Sequence, residues 1–352
     1  KSEPYLAQVS TLLSFAILKE CRFLFLSPIL KMVYRFYPHH FTLGTTFEGA
    51  LAGGNGFAYV GQMKSNTSTE GKISYSIEPE FTITAKSLND SVTLNYSGDY
   101  MRLVESSVER AIPVSDATQL GANNTNKVNL TANLKTANLS ANNGVVDYQF
   151  NNGDNFFYDH DANVMIDTFT SDIDLIITEI SDQDGVTAND TDTDTTNGLL
   201  TLNPAGLRVY FGRWHIVNTF GPETSNLNVP MSIQYYNGQT FVPLTSEGNQ
   251  SFSHTNLNVS KIDLSAEVIV TPIGNGIFTQ GKTQDLSLSM SLPAEQGSVK
   301  IVYAAPPWLL YNWNNIDENA DGHLFDDSPE ATATFGVYRG NDRIISWREV
   351  YY

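Results

Sequence analysis

Behind Tyr34 the chain changes into short runs in which apolar side chains return at every second position. Residues 72–86 set Ile73, Tyr75 and Ile77 on one face, break at Pro79, and resume with Phe81 and Ile83. Residues 91–96 place Val92, Leu94 and Tyr96 in the same way. In residues 163–180, which read as two strands, Ile173, Leu175 and Ile177 alternate against Asp172, Asp174 and Thr178. A period of two is the mark of a half-buried antiparallel strand. Leu207, Val209 and Phe211, then Trp214 and Ile216, extend the series. Residues 229–244 predict two strands around Tyr236-Asn237-Gly238-Gln239, since Asn-Gly favours a tight hairpin. Residues 261–272, 284–292 and 298–304 alternate as well, and residues 331–352 predict a hairpin turning near Gly340-Asn341. After residue 35 no helical apolar period runs beyond about three turns. The expected fold is all-β: two or more antiparallel β-sandwich, Ig-like modules with Greek-key or meander connections.

Two stretches interrupt this texture. Residues 115–144 are rich in Asn, Thr and Ala, and residues 181–198 are acidic and full of turn formers. Neither offers enough apolar area to offset ordering entropy, so both predict loops or linkers. The second divides the chain into a first β-sandwich region, 35–198, and a second, 199–352. Residues 1–34 stand apart as a short hydrophobic flank, helical in pattern. Its apolar stretch, 9–34, is broken by Lys19, Glu20, Arg22 and Lys31 and carries Pro28, which makes it a poor membrane span. No span is expected after residue 34. The first residue is Lys, so the chain reads as a fragment or processed product.

Charge narrows the partners. Against 20 basic residues stand 38 acidic ones, a formal charge of −18. Phosphate recognition needs clustered Lys and Arg, so nucleic acid is excluded as a partner. The acidity suits a solvated exterior protein and cation binding. Cys21, the single cysteine, cannot form an internal disulfide.

The sharpest candidate chemistry is Asp317-Glu-Asn319-Ala-Asp321-Gly322, followed by Asp326 and Asp327. Oxygens at alternate positions before a turn-forming Gly suit Ca²⁺, which takes six to eight hard oxygen ligands. Ser328 stands where an EF-hand has Glu, and strands are expected on either side. The competing reading is an acidic solvated turn. A bound calcium at Asp317, Asn319, Asp321, Asp326 and Asp327 would be structural, tying the 308–313 segment to the strand holding Phe335. In the loop 181–198, Asp182, Asp184, Asp190, Asp192 and Asp194 allow a second cation site, although a loose acidic linker is the better reading. Tyr158-Asp159-His160-Asp161 looks like an acid–base or metal cluster but reads better as a polar strand edge. His39-His40 reads as strand packing. No Gly-x-Ser-x-Gly elbow is present, Cys21 has no evident base, and Gly53-Gly54-Asn55-Gly56 lacks the Lys of a phosphate loop. Trp308, Tyr311, Trp313, Tyr338 and Trp347 could stack on sugar rings, but in a sandwich they read as core or cross-strand pairs. Arg339, Asp342, Arg343, Arg348 and Glu349 read as cross-strand charge pairs.

Five stretches, in order, resemble the MshQ-like family of Gram-negative proteins, which accompany the mannose-sensitive haemagglutinin type IV pilus. They are RFYPHHFTL (35–43), GFAYVGQ (56–62), PEFTITAKSLNDSVTLNYSGDYMRL (79–103), LRVYFGRWHIVNTFGPETSNLNVPMSIQYYNGQTFV (207–242) and DDSPEATATFGVYRGNDRIISWREVYY (326–352). The family usually carries cysteines after the N-G-x-x-F strand, whereas Leu244 to Phe252 holds none. The resemblance implies export and a pilus or adhesion setting, hence an outer-surface, pilus-associated location with pilus or other cell-surface components as partners; it implies no known ligand, and a glycan or host-surface ligand is a separate expectation. The expected role is structural and adhesive, without catalysis. The alternative is a carbohydrate-binding or carbohydrate-active surface module.

Overall fold

The structure, a computed structural model, describes residues 37–54, 56–62, 73–116, 128–160, 165–188, 198–316, 322 and 324–336. Strands account for its regular structure. Among the described residues the helical pieces are single 3₁₀ turns such as Gly98–Tyr100 and Pro307–Leu309. None of their helices is long and apolar enough to cross a membrane. The all-β, mainly antiparallel architecture expected from the alternation is the one observed.

The first half is built on a four-stranded sheet in the order His40–Phe47, Glu80–Lys86, Val145–Gln149, Asn138–Asn142. Phe81 and Ile83 point inward, as their period requires, and pair with Tyr148 and Val146 across the ladder. A three-stranded sheet, Leu200–Leu202, Leu175–Ile180, Val108–Arg110, contributes Leu175 and Ile177 to the same core. In the second half, one sheet runs Thr219–Gly221, Glu330–Phe335, Gly297–Tyr303, Leu257–Lys261. Another runs Gly212–Ile216, Met231–Tyr236, Phe241–Pro243. Val299, Ile301, Tyr303 and Trp214 fill the core between them, with Trp214 stacked on Tyr303 at 4.4 Å. The expected Asn-Gly hairpin is present: Gly238 has φ +92°, and the Asn237 side chain accepts from Gln239 and Thr240 N–H.

Three expectations are corrected. Residues 115–144 are not all loop, because Leu130–Asn133 and Asn138–Asn142 are strands. The second turns into Val145–Gln149 through Asn143 and Gly144, both at positive φ, an Asn-Gly turn hidden in a polar stretch. Residues 91–96 form no named strand; Val92 and Leu94 are exposed and only Tyr96 is buried. Nor are residues 181–188 a loose linker. They close a small turn, bridged between Ser181 and Thr187 and held by Asp182. Of the C-terminal hairpin, residues 337–352 lie outside the described residues. Its first arm, Glu330–Phe335, has one side taken by Gly297–Tyr303 and part of the other by Thr219–Gly221.

The core changes over between Phe211 and Trp214, beyond the acidic segment. Leu207, Val209 and Phe211 belong to the first core, Trp214 and Ile216 to the second. The inward positions pass from odd to even across Gly212. A Cβ there would come within 2.7 Å of the Leu309 side chain and 2.8 Å of the Tyr59 ring, so the close approach demands glycine.

Candidate functional site

The changeover is bridged by a strand that serves both cores. Phe57–Tyr59 runs parallel to Arg208–Tyr210, and Val60 N–H donates to the Tyr210 carbonyl at 3.0 Å. Phe-Ala-Tyr-Val is a continuous apolar run, the pattern of a strand buried on both faces. Successive side chains point opposite ways, so Phe57 and Tyr59 enter the second core while Ala58 and Val60 enter the first. Tyr59 is 2% exposed, and its hydroxyl donates to the carboxylate of Glu247, which is 1% exposed. The other Glu247 oxygen accepts from Asn249 and Gln250 N–H at 2.9 and 2.8 Å, closing the loop that carries it. Burial first, and the Glu247 carboxylate second, hold the Tyr59 phenol well above its ordinary pKa, which keeps it the donor.

Aromatic rings reinforce the joint. His160 stacks on Phe211 with centroids 5.0 Å apart, and Phe325 meets both rings edge-on. Tyr236, Phe241, Tyr311 and Phe325, all from the second half, pack against the first core. The Arg213 guanidinium lies 3.7 Å from the Phe241 centroid, 4.9 Å from Tyr311 and 4.7 Å from Trp313. Its Nε donates to the Gln234 side chain at 2.9 Å. Burial lowers the pKa of Arg213 from its ordinary value. His215, whose ring tilts against Trp313, is lowered by burial and then by Arg213.

Beside this cluster runs a groove of about 520 Å³, bordered by Trp313, Asn314, Asp327, Ser328, Lys300 and Glu330 over Val302. Lys300 and Glu330 form an exposed ion pair at 2.6 Å on the outer face of their sheet. Asp327 accepts from Trp313 N–H at 2.9 Å, while its backbone exchanges hydrogen bonds with Tyr311. The segment between Tyr311 and Asp327 is therefore clamped at its base.

Two sequence signatures match the chain: the DUF6701 third domain over residues 31–204 and the DUF6701 fourth domain over residues 210–350. The chain belongs to the DUF6701 family. Between the two matches fall residues 205–209, which include Arg208 and Val209 of the strand that pairs with Phe57–Tyr59. No curated protein matches the DUF6701 chain in sequence. Among solved structures it is similar to FdeC, an Escherichia coli adhesin, at 8% identity and TM-score 0.25, over 82% of this chain and 66% of that one. It is also similar to the Yersinia pseudotuberculosis adhesin InvE, at 10% identity and TM-score 0.20, over 84% and 61%. The DUF6701 chain thus spans less than two thirds of InvE and about two thirds of FdeC. TM-scores this low do not amount to a shared arrangement of domains.

The residues singled out in sequence fall differently within the two DUF6701 domains. Of the five proposed calcium ligands, Asp326 and Asp327 are described, and Asp317, Asn319 and Asp321 lie outside the described residues. Asp326 and Asp327 do not make a calcium site by themselves: no metal-holding group of three His, Cys, Asp or Glu occurs among the described residues. Asp182 is a buried clamp instead of a linker acid. One of its oxygens takes the Tyr96 hydroxyl at 2.7 Å and the other takes Asp184 and Val186 N–H at 2.9 and 3.0 Å. Asp190, Asp192 and Asp194 lie outside the described residues, as do Asp161, Cys21, Tyr338, Trp347 and the charged residues from Arg339 to Glu349. His160 is a packing residue of the joint. His40 is buried in its strand, with its ring facing Asp90 at 3.2 Å. Trp308 is buried in the second core. Sequence reasoning missed Tyr59 and Glu247, whose partnership spans 188 positions. The one local signal was the two-sided apolar run around Tyr59.

Proposed function

We propose that this chain is a non-enzymatic structural and adhesive part of a pilus-associated surface protein of the MshQ-like kind. The observation that carries the reading is the joint. A shared strand, a buried Tyr–Glu bond and an aromatic cluster bind two DUF6701 domains into one body, as a part that transmits force between a cell and its surroundings requires. The ordered pilus-like motifs of the sequence support the same setting. Antibody raised against the chain should label intact cells, and shearing should release the antigen with the pilus fraction. Antigen confined to the cell interior would sink the reading.

Calcium bound by Asp317, Asn319 and Asp321 together with Asp326 and Asp327 is proposed to be structural, tying the 308–313 segment to the strand that holds Phe335. A ligand held only by the folded state raises the unfolding midpoint by mass action. Calcium should therefore raise the midpoint relative to chelator, and equal midpoints would remove the brace. A second reading, a carbohydrate-binding surface module, is favoured by the aromatic and polar groove beside the joint.

A further inference from the structure

We infer that the groove between Trp313 and the Lys300–Glu330 pair is a binding site for a neutral saccharide, the contact through which the proposed adhesive role is exercised. The inference deepens the adhesive reading and rests on it. Small-ligand sites fall between roughly 300 and 1,000 Å³, and the groove, at about 520 Å³, lies within that range. Its composition matches a sugar's two kinds of surface. A pyranose offers an apolar face of C–H groups, for which the Trp313 indole is the complement. It also offers a rim of hydroxyls that each donate and accept. Glu330 supplies acceptors, Lys300 a donor, and Asn314 and Ser328 both.

The wall is held in place before any ligand arrives. Arg213 lies 4.7 Å from the indole centroid, and Asp327 accepts from the Trp313 backbone N–H at 2.9 Å. The Lys300 and Glu330 side chains pair with each other and project from neighbouring, hydrogen-bonded strands. Such preorganisation lowers the entropy lost on binding. Charge selects the class. The one lysine of the groove, Lys300, is already paired with Glu330, on a chain of net charge −18, which disfavours uronates and other anionic sugars.

The test is an array of immobilised neutral and acidic oligosaccharides probed with the folded chain, followed by titration of each hit with tryptophan fluorescence. Binding to neutral glycans is expected, with at least a tenfold loss of affinity in Trp313→Ala. Because Trp313 also packs on Arg213, Val302→Trp serves as a second variant. It fills the groove from the outer sheet face and should abolish binding while circular dichroism and the unfolding midpoint stay as in the parent. Silence across the array, preference for acidic glycans, or binding unchanged in Val302→Trp would each overturn the proposal. None of these outcomes bears on whether the protein reaches the cell surface, which the antibody experiment decides separately.

Discussion

Tyr59, Tyr96 and Tyr158 share one device: each is buried and donates its hydroxyl to a carboxylate distant in sequence, Glu247, Asp182 and Asp116 respectively. The carboxylates also collect backbone N–H groups. Asp182 and Glu247 close turns, and Asp116 takes the Asp172 N–H at 2.8 Å. A buried carboxylate stripped of a donor keeps its desolvation cost, so Tyr59→Phe should lower stability by about 1–3 kcal/mol, read as a shifted midpoint in urea unfolding. Glu247 lies in the cysteine-free stretch Leu244–Phe252, so a carboxylate closes the loop there without a disulfide. A pH effect belongs to the same scale. Burial lowers the folded-state pKa of His215 below the ordinary 6.5. Below 6.5 the unfolded chain then binds more protons than the folded one, so this residue's contribution is lost as pH falls through that window. His215→Gln should flatten the fall in thermal midpoint between pH 6.5 and the folded pKa. Asp154 runs the other way. Burial raises its pKa above 3.8, so its share of stability declines as pH rises past that value. None of these partnerships could be read locally. In sequence Asp182 is one acid among five in a polar stretch, and only the Tyr96 hydroxyl, 86 positions away, makes it a clamp.

At the scale of elements, alternation told most of the story where strands are buried on one face. Phe81 and Ile83, Leu175 and Ile177, and Val299 and Ile301 all point inward as their period requires. Composition misled where a strand lies at a sheet edge. Asn138–Asn142 has an exposed polar face and little apolar content, so it resembled a linker. Its Asn143-Gly144 turn was the legible sign of a hairpin. Residues 91–96 misled in the opposite sense: the alternation is real, but no neighbouring sheet covers Val92 and Leu94. The shared strand combines both difficulties, being three residues long and buried on both faces. Phe57→Ala removes a ring that is 4% exposed and should cost about 3–5 kcal/mol, seen as a lower denaturant midpoint.

At the scale of the molecule, two cores share the strand Phe57–Tyr59, and the second is incomplete without its Phe57 and Tyr59 side chains. Residues 37–352 should accordingly unfold in one transition, with fluorescence and circular dichroism coinciding. A chain of residues 210–352 alone should melt earlier and bind a hydrophobic dye, because the surface left by those rings is uncovered. Separate transitions in the longer chain, or a shorter chain of equal stability, would refute the coupling. The motifs around residues 56–62 and 207–242 were visible in sequence as separate blocks of a family pattern. That they lie side by side in space is a property of topology.

The tetrapeptide from Phe57 to Val60 answers to two interiors at once. A replacement that suits one must also suit the other, and a compensating change on one side leaves the opposite side unrepaired. In a saturation library scored for folding, these four positions should accept fewer amino acids than strand positions of equal burial that face a single interior.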